Sequence, residues 1–201
     1  MPEPNITKKA LADSLKKLMH EKDFSKISVA DIVNGCGLTR QSFYYHFKDK
    51  YDLMNWIYYT ETAYIMTSND AAELWSDSLK NLCCYMQRNK TFYTNALKTT
   101  GQNSFPEHLY QYIRDLALSA LEQMGVEEYE PEKREFIVSF FAIAFVASIV
   151  RWSNNGMKED AADFVDKMRS LFDGSIHNEL ENQRQKKNHS APNGDTSETS
   201  V

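Results

Sequence analysis

The sequence predicts an all-α fold in which three short N-terminal helices precede a larger helical region. Two observations carry this prediction. Apolar residues recur at helical spacing along most of the 201-residue chain, and no segment requires a strand. Within the first fifty residues, candidate helix caps and two glycines divide the chain into separate helices with a tight turn between two of them.

The first predicted helix is amphipathic and ends near Lys22. Its apolar face consists of Ile6, Ala10, Leu11, Leu15, Leu18 and Met19. Ser28 is the candidate N-cap of the second helix, because Asp31 follows three positions later in a variant of the capping box. Val29 and its apolar neighbours would then face inward.

A tight turn and a third helix follow. Gly35 and Gly37 bracket the turn, because glycine tolerates the positive φ that ends one helix and redirects the next. Thr39 is the candidate N-cap of the third helix. Residues 28–47 are therefore predicted to form a helix-turn-helix.

The third helix carries side chains suited to DNA. The first residues of the second helix of such a motif point into the major groove. Arg40 can bond guanine O6 and N7 together, and Gln41 can do the same with adenine N6 and N7. Phe43 and Phe47, four residues apart, are expected to pack inward. The remaining polar side chains are expected to donate to phosphates; they are Ser42, Tyr44, Tyr45, His46 and Lys50.

Charge is divided unequally along the chain. Residues 1–50 hold nine Lys or Arg against six Asp or Glu, a net charge of +3, whereas the rest of the chain carries −8. An anionic partner would therefore meet the N-terminal part, although +3 is also common on an ordinary solvated surface.

Composition and motifs exclude several functional classes. The three cysteines, Cys36, Cys83 and Cys84, have no metal-binding spacing and suit a reducing cytoplasm, and the N-terminus has no secretion signal. The longest apolar run, residues 136–150, is shorter than the roughly 20 residues of a membrane span and is expected to be a buried helix. Because no catalytic, phosphate-loop or zinc motif occurs, we expect no enzymatic activity, cofactor or metal.

The helix-turn-helix region resembles that of TetR/AcrR-type bacterial transcriptional regulators. The family pattern of glycine, apolar residue, Ser or Thr, a variable pair, two aromatics, His, Phe and a following Lys falls on Gly37–Lys50. Cys36 and Phe43 are small departures from it. The resemblance covers about residues 5–65 and implies a DNA-binding domain there. The DNA-contacting residues it implies, together with those above, are Ser28, Val29, Thr39, Arg40, Gln41, Ser42, Tyr44, Tyr45, His46 and Lys50.

The rest of the chain is predicted to be a helical effector and dimerisation domain over residues 66–175. A long helix beginning at Asp49 links the two parts, and further helices are expected over 71–88, 90–98 and 106–124. The apolar pattern fades after Phe172, and residues 178–201 hold almost no large apolar groups, so residues 176–201 are predicted to be a disordered tail.

Two C-terminal helices are candidates for a dimer interface. The helix after Pro131 is apolar almost all round, so it must be covered on both sides. In the family that the sequence resembles, the last two long helices pair with their copies in a four-helix bundle; the alternative is a core helix within one protomer. The expected interface residues are Phe141, Phe145, Ile149, Phe164, Met168 and Leu171.

The resemblance also implies a control site in the C-terminal domain. Its candidate aromatic lining is Trp56, Tyr59, Tyr64, Trp75, Phe92, Tyr93, Phe105 and Tyr110, although aromatics at helical spacing are also typical of an ordinary core. The segment around Phe92–Ile113 resembles the branch of the family associated with dihydroxyacetone kinase operons, whose members can activate and can be controlled by a partner protein. The effector is therefore an unknown small molecule or a partner protein.

The predicted function is that of a cytoplasmic homodimer that binds double-stranded DNA at a palindromic operator. The alternative is a helical adaptor that keeps the shape of the motif and acts through protein contacts alone. Retention of Arg40, Gln41, His46 and Lys50 favours DNA.

Overall fold

The computed structural model describes residues 4–67, 75–101, 104–124 and 130–190, and the regular elements in these ranges are all helical. The predicted all-α fold class is confirmed. The elements, in chain order, are α1 (Pro4–Glu21), a 3₁₀ turn (Phe24–Lys26), α2 (Val29–Gly35), α3 (Arg40–His46), α4 (Lys50–Thr67), α5 (Trp75–Arg88), α6 (Lys90–Ala96), α7 (Phe105–Gln123), α8 (Pro131–Asn154) and α9 (Ala161–Ser190).

Helices α1, α2 and α3 share one small core. Leu11 and Leu15 of α1, Ile32 of α2 and Phe43 of α3 are fully buried. Phe47, directly after α3, is also buried, with its ring 5.9 Å from that of Phe43. The predicted inward packing of the two phenylalanines is confirmed.

The two glycines of the turn serve different purposes. Gly37 has a φ of 68°, so it occupies the left-handed region as expected. Gly35 instead faces α1: a Cβ there would lie 2.3 Å from Ser14 Oγ, closer than atoms can approach. Ser14 Oγ in turn donates a hydrogen bond of 2.7 Å to the Ile32 carbonyl oxygen. The need for glycine at residue 35 is therefore one of space, which corrects the prediction from its φ.

The predicted capping box at the start of α2 is confirmed. Ser28 Oγ accepts from the Asp31 backbone N–H at 3.2 Å, and Asp31 Oδ2 accepts from the Ser28 backbone N–H at 2.8 Å. Asp31 also forms an ion pair with Lys22 at 3.1 Å. These bonds, first of all that from the Ser28 backbone, lower the pKa of Asp31 from its ordinary value of 3.8 to about 2.

Helix α4 begins where the sequence predicts. The Asp49 carboxylate accepts from the backbone N–H groups of Tyr51 and Asp52 at 2.8 and 2.9 Å, which is the role of an N-cap. Leu53 and Ile57 are buried, so one face of the helix belongs to the core.

Helices α5 to α9 form the larger body, in which the closest pairings are α7 with α8 and α5 with α9. Aromatic rings tie three of these helices together. Trp75 of α5 lies 5.9 Å from Phe145 of α8 and 5.0 Å from Phe172 of α9, and Phe141 lies 4.7 Å from Phe172. The helices predicted over 71–88, 90–98 and 106–124 agree with α5, α6 and α7, apart from residues 71–74, which lie outside the described residues.

The turn between α8 and α9 is held by polar side chains. Gln87 Nε2 donates to the carbonyl oxygens of Met157 and Glu159 at 3.0 and 2.9 Å, and Trp152 Nε1 donates to the same Glu159 oxygen at 3.0 Å. Gly156 and Met157 both have positive φ, 77° and 49°. These bonds from α5 and α8 hold the non-glycine residue in its unusual conformation.

Helix α9 extends beyond the predicted end of the helical body. Residues 176–190, expected to be disordered, continue α9 to Ser190, while 191–201 lie outside the described residues. Ile176 is buried, and Glu179 forms an ion pair with Lys133 of α8. The low apolar content of this segment concealed one well-placed isoleucine and the contact of His177 Nε2 with Glu181 Oε1 at 3.1 Å, one turn apart, which supports a solvated helix.

Polar side chains join the N-terminal helices to the rest of the protein. Lys16 of α1 forms an ion pair with Glu61 of α4, and the Tyr85 hydroxyl of α5 donates to Glu61 Oε2 at 3.0 Å. The Phe24 backbone N–H donates to Asn95 Oδ1 of α6 at 3.0 Å. Movements of α4, α5 or α6 can therefore reach the N-terminal helices directly.

Replacing Ile176 tests whether this part of α9 is docked. We expect Ile176→Ala to lower the free energy of unfolding by about 2–4 kcal/mol, because it removes a buried branched side chain. His177→Ala, at the exposed neighbouring position, should change it by less than about 0.5 kcal/mol. Urea denaturation followed by circular dichroism measures both. Equal stability of the two variants would contradict the docking of this segment.

Replacing Asp31 tests the capping box through pH. Because the folded-state pKa lies below the ordinary value of 3.8, the charged carboxylate stabilises the protein above about pH 4, and this contribution is lost as the pH falls towards 2. Asp31→Asn should therefore melt at a lower temperature than the wild type at pH 7, with the gap narrowing below pH 4. Asp13→Asn, at an exposed position of α1, is the control. A gap for Asp31→Asn that stays constant from pH 7 to pH 3 would contradict this assignment.

Candidate DNA-binding surface

Helix α3 buries one side chain and exposes most of the others. Of its seven residues only Phe43 is buried, and this residue anchors the helix to α1 and α2. Arg40, Gln41, Tyr44 and Tyr45 are exposed. The helix therefore presents a polar and aromatic surface that the small core beneath it does not use.

Arg40 and Gln41 occupy the first turn of α3. Thr39 Oγ1 accepts from the Ser42 backbone N–H at 3.1 Å, so it is the N-cap that the sequence predicts. Thr39 Oγ1 and Ser42 Oγ also lie 3.0 Å apart in a mutual hydrogen bond. Within the described part of the chain, Arg40 has no ion-pair partner, so its guanidinium is available to a ligand.

Tyr44 and Tyr45 stand out from the surface. Tyr45 is 82% exposed, and its ring lies edge-on to the half-buried His46 with centroids 4.9 Å apart. The Tyr44 ring lies edge-on to Phe43 at 5.5 Å. The Tyr44 ring contacts the core and the Tyr45 ring contacts only its neighbour His46, while both hydroxyls remain in solvent, where they can donate hydrogen bonds to phosphate.

In the protein without DNA, Ser28 and Val29 have structural roles. Besides its part in the capping box, the Ser28 hydroxyl donates to Asp31 Oδ2 at 2.8 Å. Val29 is half-buried against the core. Their predicted contacts with DNA remain untested expectations.

The Lys50 ammonium is hydrogen-bonded within the protein itself. Its ammonium donates to three backbone carbonyl oxygens, those of Phe24 at 2.9 Å, Ser25 at 3.1 Å and Ile27 at 2.8 Å. It also lies 4.7 Å from the centroid of the Phe24 ring and 5.6 Å from that of Tyr51. Burial lowers the pKa of Lys50 from its ordinary value. An ammonium has three N–H donors, and in the protein without DNA these three bonds occupy all of them, so the expected phosphate contact of Lys50, which stays a prediction, would require one of the bonds to break.

Lys48 is a cation that the sequence analysis did not single out. It lies between α3 and α4 with an exposed side chain, while its backbone N–H donates to Asp52 Oδ2 at 2.9 Å. The available signal was its position directly after Phe47, the last anchored residue of the motif.

Most of the predicted pocket aromatics fill the core. Trp75, Phe92, Tyr93 and Phe105 are buried, and the rings of Tyr93 and Phe105 lie 5.3 Å apart. These side chains contact their neighbours as packed core residues do. They line none of the clefts that the structure shows between described residues.

The other predicted pocket residues lie nearer the surface. Trp56 is half-buried beside Phe47 and lines a cleft of about 380 Å³ between α1 and α4. Tyr59 is exposed and Tyr110 is half-buried. The side chain of Tyr64 lies outside the described residues.

Two buried tyrosine hydroxyls, one on α4 and one on α6, have no hydrogen-bond partner among the described residues. They belong to Tyr58, which the sequence analysis missed, and Tyr93. The two rings contact the same neighbour, Phe105, with centroid distances of 4.8 and 5.3 Å. Burial raises the pKa of both hydroxyls far above the usual range. Beside them, the Tyr59 hydroxyl is hydrogen-bonded to His108, whose Nε2 lies at 2.9 Å.

Three of the six predicted dimer residues are not available to an interface. Phe145, Ile149 and Met168 are buried inside the protomer, which corrects the prediction for all three. Phe141 packs on Phe172, as described above. The ring of Phe164 stacks on Trp152, with centroids 5.0 Å apart and planes 7° from parallel.

A different set of apolar side chains is exposed on α8 and α9. Phe136, Phe140 and Ile143 are spaced four and three residues apart along one face of α8, and each is more than half exposed. Leu171 of α9 is 70% exposed, whereas the other predicted interface residues are buried or half-buried. We call these four residues the apolar stripe. Its periodicity could have been taken from the sequence, but the all-round apolar character of α8 hid which face would be free.

Helix α8 is also long and apolar enough to cross a membrane, the one such helix in the described ranges. With 24 residues, α8 is longer than the apolar run 136–150 from which a buried helix was predicted. Core helices of soluble proteins share these properties, and one face of α8 packs into the body through Val138, Ala142 and Ile149. The length of α8 is therefore weak evidence for a membrane.

No metal-binding site was found in the parts of the chain that the structure covers: no three His, Cys, Asp or Glu side chains there lie close enough to hold an ion.

A structural comparison finds related folds. The dihydroxyacetone kinase operon activator DhaS superimposes with a TM-score of 0.67 at 22% identity, covering 86% of this chain and 97% of that one. A TetR transcriptional regulator from Streptococcus agalactiae 2603V gives a TM-score of 0.60 at 18% identity, covering 85% of this chain and 95% of that one. At these identities the likeness shows the fold.

A sequence relative points in the same direction. The HTH-type dhaKLM operon transcriptional activator DhaS of Lactococcus lactis subsp. lactis (strain IL1403) is 33% identical over 88 residues. The aligned part is 44% of this chain and 47% of that protein, so the match spans about half the length of the curated relative.

Family models match both parts of the chain. One described as "Bacterial regulatory proteins, tetR family" matches residues 11–56, which include the whole helix-turn-helix. One described as "Transcriptional regulator C-terminal region" matches residues 73–174, half of the chain by itself. The resemblance found from the sequence is thereby confirmed: the chain belongs to the TetR family of bacterial transcriptional regulators.

Proposed function

We propose that this regulator binds a palindromic DNA operator as a homodimer, with α3 of each protomer in the major groove. The observation that carries the proposal is the exposed first turn of α3. Arg40 and Gln41 project there from a capped helix whose position is set by the burial of Phe43. Such side chains can form paired hydrogen bonds with guanine and adenine. The proposed site of action is the cytoplasm, where bacterial DNA is accessible.

The phosphate contacts follow from the same surface. We assign them to Tyr44, Tyr45, His46 and the exposed Lys48, which flank the first turn of α3 on its C-terminal side. Such contacts fix the position of the protein on DNA without specifying sequence. Thr39 and Ser42 can add hydroxyl contacts beside them.

Dimerisation through the apolar stripe supports two-fold recognition. A row of exposed apolar side chains on α8, with a further one on α9, is typical of an interface, because isolated soluble proteins rarely leave such a surface uncovered. Covering it with the same face of a second copy satisfies both surfaces, and a two-fold axis requires two-fold related half-sites in DNA.

Control is proposed to act through the body, by a small molecule or a partner protein. The unpartnered hydroxyls of Tyr58 and Tyr93 support a small polar ligand, because an unsatisfied buried hydroxyl is unfavourable and a ligand could supply its partner. The similarity to the relative DhaS supports genes for dihydroxyacetone kinase as the regulated operon, with activation as the direction of control.

Selection of genomic fragments tests the proposal without a prior guess of the operator. The purified protein should retain a small set of fragments that share a palindrome, and gel shifts should confirm binding. Failure to retain any DNA, combined with capture of a protein partner, would favour a helical adaptor. Titration of the operator complex with dihydroxyacetone and related small polyols then tests control, since an effector acts only through its different affinities for the two states.

Arg40→Ala tests base recognition. We expect operator binding to weaken by about 1–3 kcal/mol and the preference at one base pair of each half-site to relax, because a paired contact to a base is lost. Fluorescence anisotropy with a set of single-base operator variants measures both. Arg88→Ala, at an exposed arginine of α5, is the matched control. Uniform weakening on every sequence would show that Arg40 holds a phosphate.

Phe140→Glu tests the apolar stripe. A charge in the middle of a dimer interface is unfavourable, so this variant should be a monomer in light scattering at concentrations where the wild type is a dimer. It should also lose affinity for the full palindrome. Lys90→Glu, which places the same side chain at an exposed position of α6, should remain dimeric. A dimeric Phe140→Glu variant would exclude the stripe as the interface.

A further inference from the structure

The 3₁₀ turn Phe24–Lys26 is held from two elements outside the helix-turn-helix. The Phe24 backbone N–H donates to Asn95 Oδ1 of α6 at 3.0 Å, and the Phe24 carbonyl oxygen accepts from Lys50 Nζ of α4 at 2.9 Å. Both polar backbone groups of this buried residue are thus satisfied by side chains distant in the chain. The position of the turn depends on where α4 and α6 lie.

Both side chains are oriented for this task. Asn95 Nδ2 donates to the Thr91 carbonyl oxygen at 3.0 Å, which turns its oxygen towards Phe24. The Lys50 ammonium lies over the Phe24 ring and donates to two carbonyl oxygens of the turn and to that of Ile27. Charge-assisted bonds of this kind are stronger than bonds between neutral groups.

The turn leads directly into the DNA-binding motif. Ile27 is buried and is followed by Ser28, the N-cap of α2. Because α2 and α3 are joined by a tight turn and share one core, a displacement of the Phe24–Lys26 turn would carry α3 with it. The turn is therefore a joint between the DNA-binding helices and the remainder of the protein.

We propose that Lys50 and Asn95 are positioning residues for DNA binding: they hold the Phe24–Lys26 turn, and with it α3, at a fixed place relative to α4 and the body, and Lys50 does not neutralise a phosphate. This inference rests on the proposed DNA-binding function. It assigns the phosphate-neutralising role at this point of the surface to Lys48, two residues earlier.

A comparison of Lys48 and Lys50 separates the two roles. Full-length wild type, Lys48→Met and Lys50→Met are titrated onto the selected operator at several salt concentrations. Removing the lysine charge from one phosphate contact per protomer should reduce the magnitude of the slope of log affinity against log salt by about two for a dimer. We expect this result for Lys48→Met. Lys50→Met should weaken binding about tenfold at every salt concentration, with the wild-type slope, as expected from loss of a charged hydrogen bond. A fall in slope for Lys50→Met equal to that for Lys48→Met would overturn the inference.

Asn95 provides a second test that involves no charge. Asn95→Ala should weaken operator binding about fivefold without a change in salt slope, which corresponds to loss of about one neutral hydrogen bond. The matched control is Thr94→Ala in the same helix, because the bond of Thr94 to Ser153 stays within the body. Equal affinities of the Asn95→Ala and Thr94→Ala variants would overturn the inference, and this pair decides the matter should Lys50→Met fail to fold.

Amide hydrogen exchange tests the joint without DNA. Exchange of the Phe24 amide, followed by NMR, should accelerate in Asn95→Ala and in Lys50→Met and stay at the wild-type rate in Thr94→Ala. Unchanged exchange in Asn95→Ala would refute the joint. Wild-type protein that selects no DNA would instead refute the proposed function, while the exchange rates would still decide whether the turn is held as described.

Discussion

The close packing of α1 on α2 is the constraint on which the DNA-binding surface depends. Helices of seven residues, such as α2 and α3, are too short to be stable alone, so tertiary contacts must hold them. The approach is closest where Gly35 faces Ser14, whose hydroxyl bonds the Ile32 carbonyl. A side chain at residue 35 would displace the Ser14 hydroxyl, break this bond and disturb the position of α2 on α1. Because Phe43 is buried in the same core, the exposed face of α3 would move as well.

The polar contacts between the two parts of the chain suggest how a signal could travel. Glu61 of α4 accepts from Lys16 of α1 and from Tyr85 of α5, so it lies between the N-terminal helices and the body. The Phe24–Lys26 turn is joined to α6 and α4 in a similar way. A ligand or partner that prefers one arrangement of the body would act on α3 through such contacts, in proportion to its preference for that arrangement.

Helix α8 shows how one apolar sequence serves two surfaces. Phe145 and Ile149 join the core with Trp75 and the aromatic residues of α9, whereas Phe140 and Ile143 remain exposed. Apolar character alone does not distinguish the two faces, because both are rich in phenylalanine and isoleucine. The packing of α7 on one side of the helix, together with the contact of Phe172 of α9 with Phe145, makes the distinction and leaves the other side for a second protomer in the proposed dimer.

The sequence by itself determined the helix-turn-helix, the caps at Ser28, Thr39 and Asp49 and the all-α class, because capping bonds and helical periodicity act between residues a few positions apart. Only the tertiary structure decided which groups Lys50 contacts in the free protein and how far α9 extends. The Lys50 ammonium meets carbonyl groups 23 to 26 residues away, and the end of α9 is stabilised by packing and by an ion pair with α8. Which groups a side chain meets across such distances depends on how the helices pack, and local patterns do not contain that information.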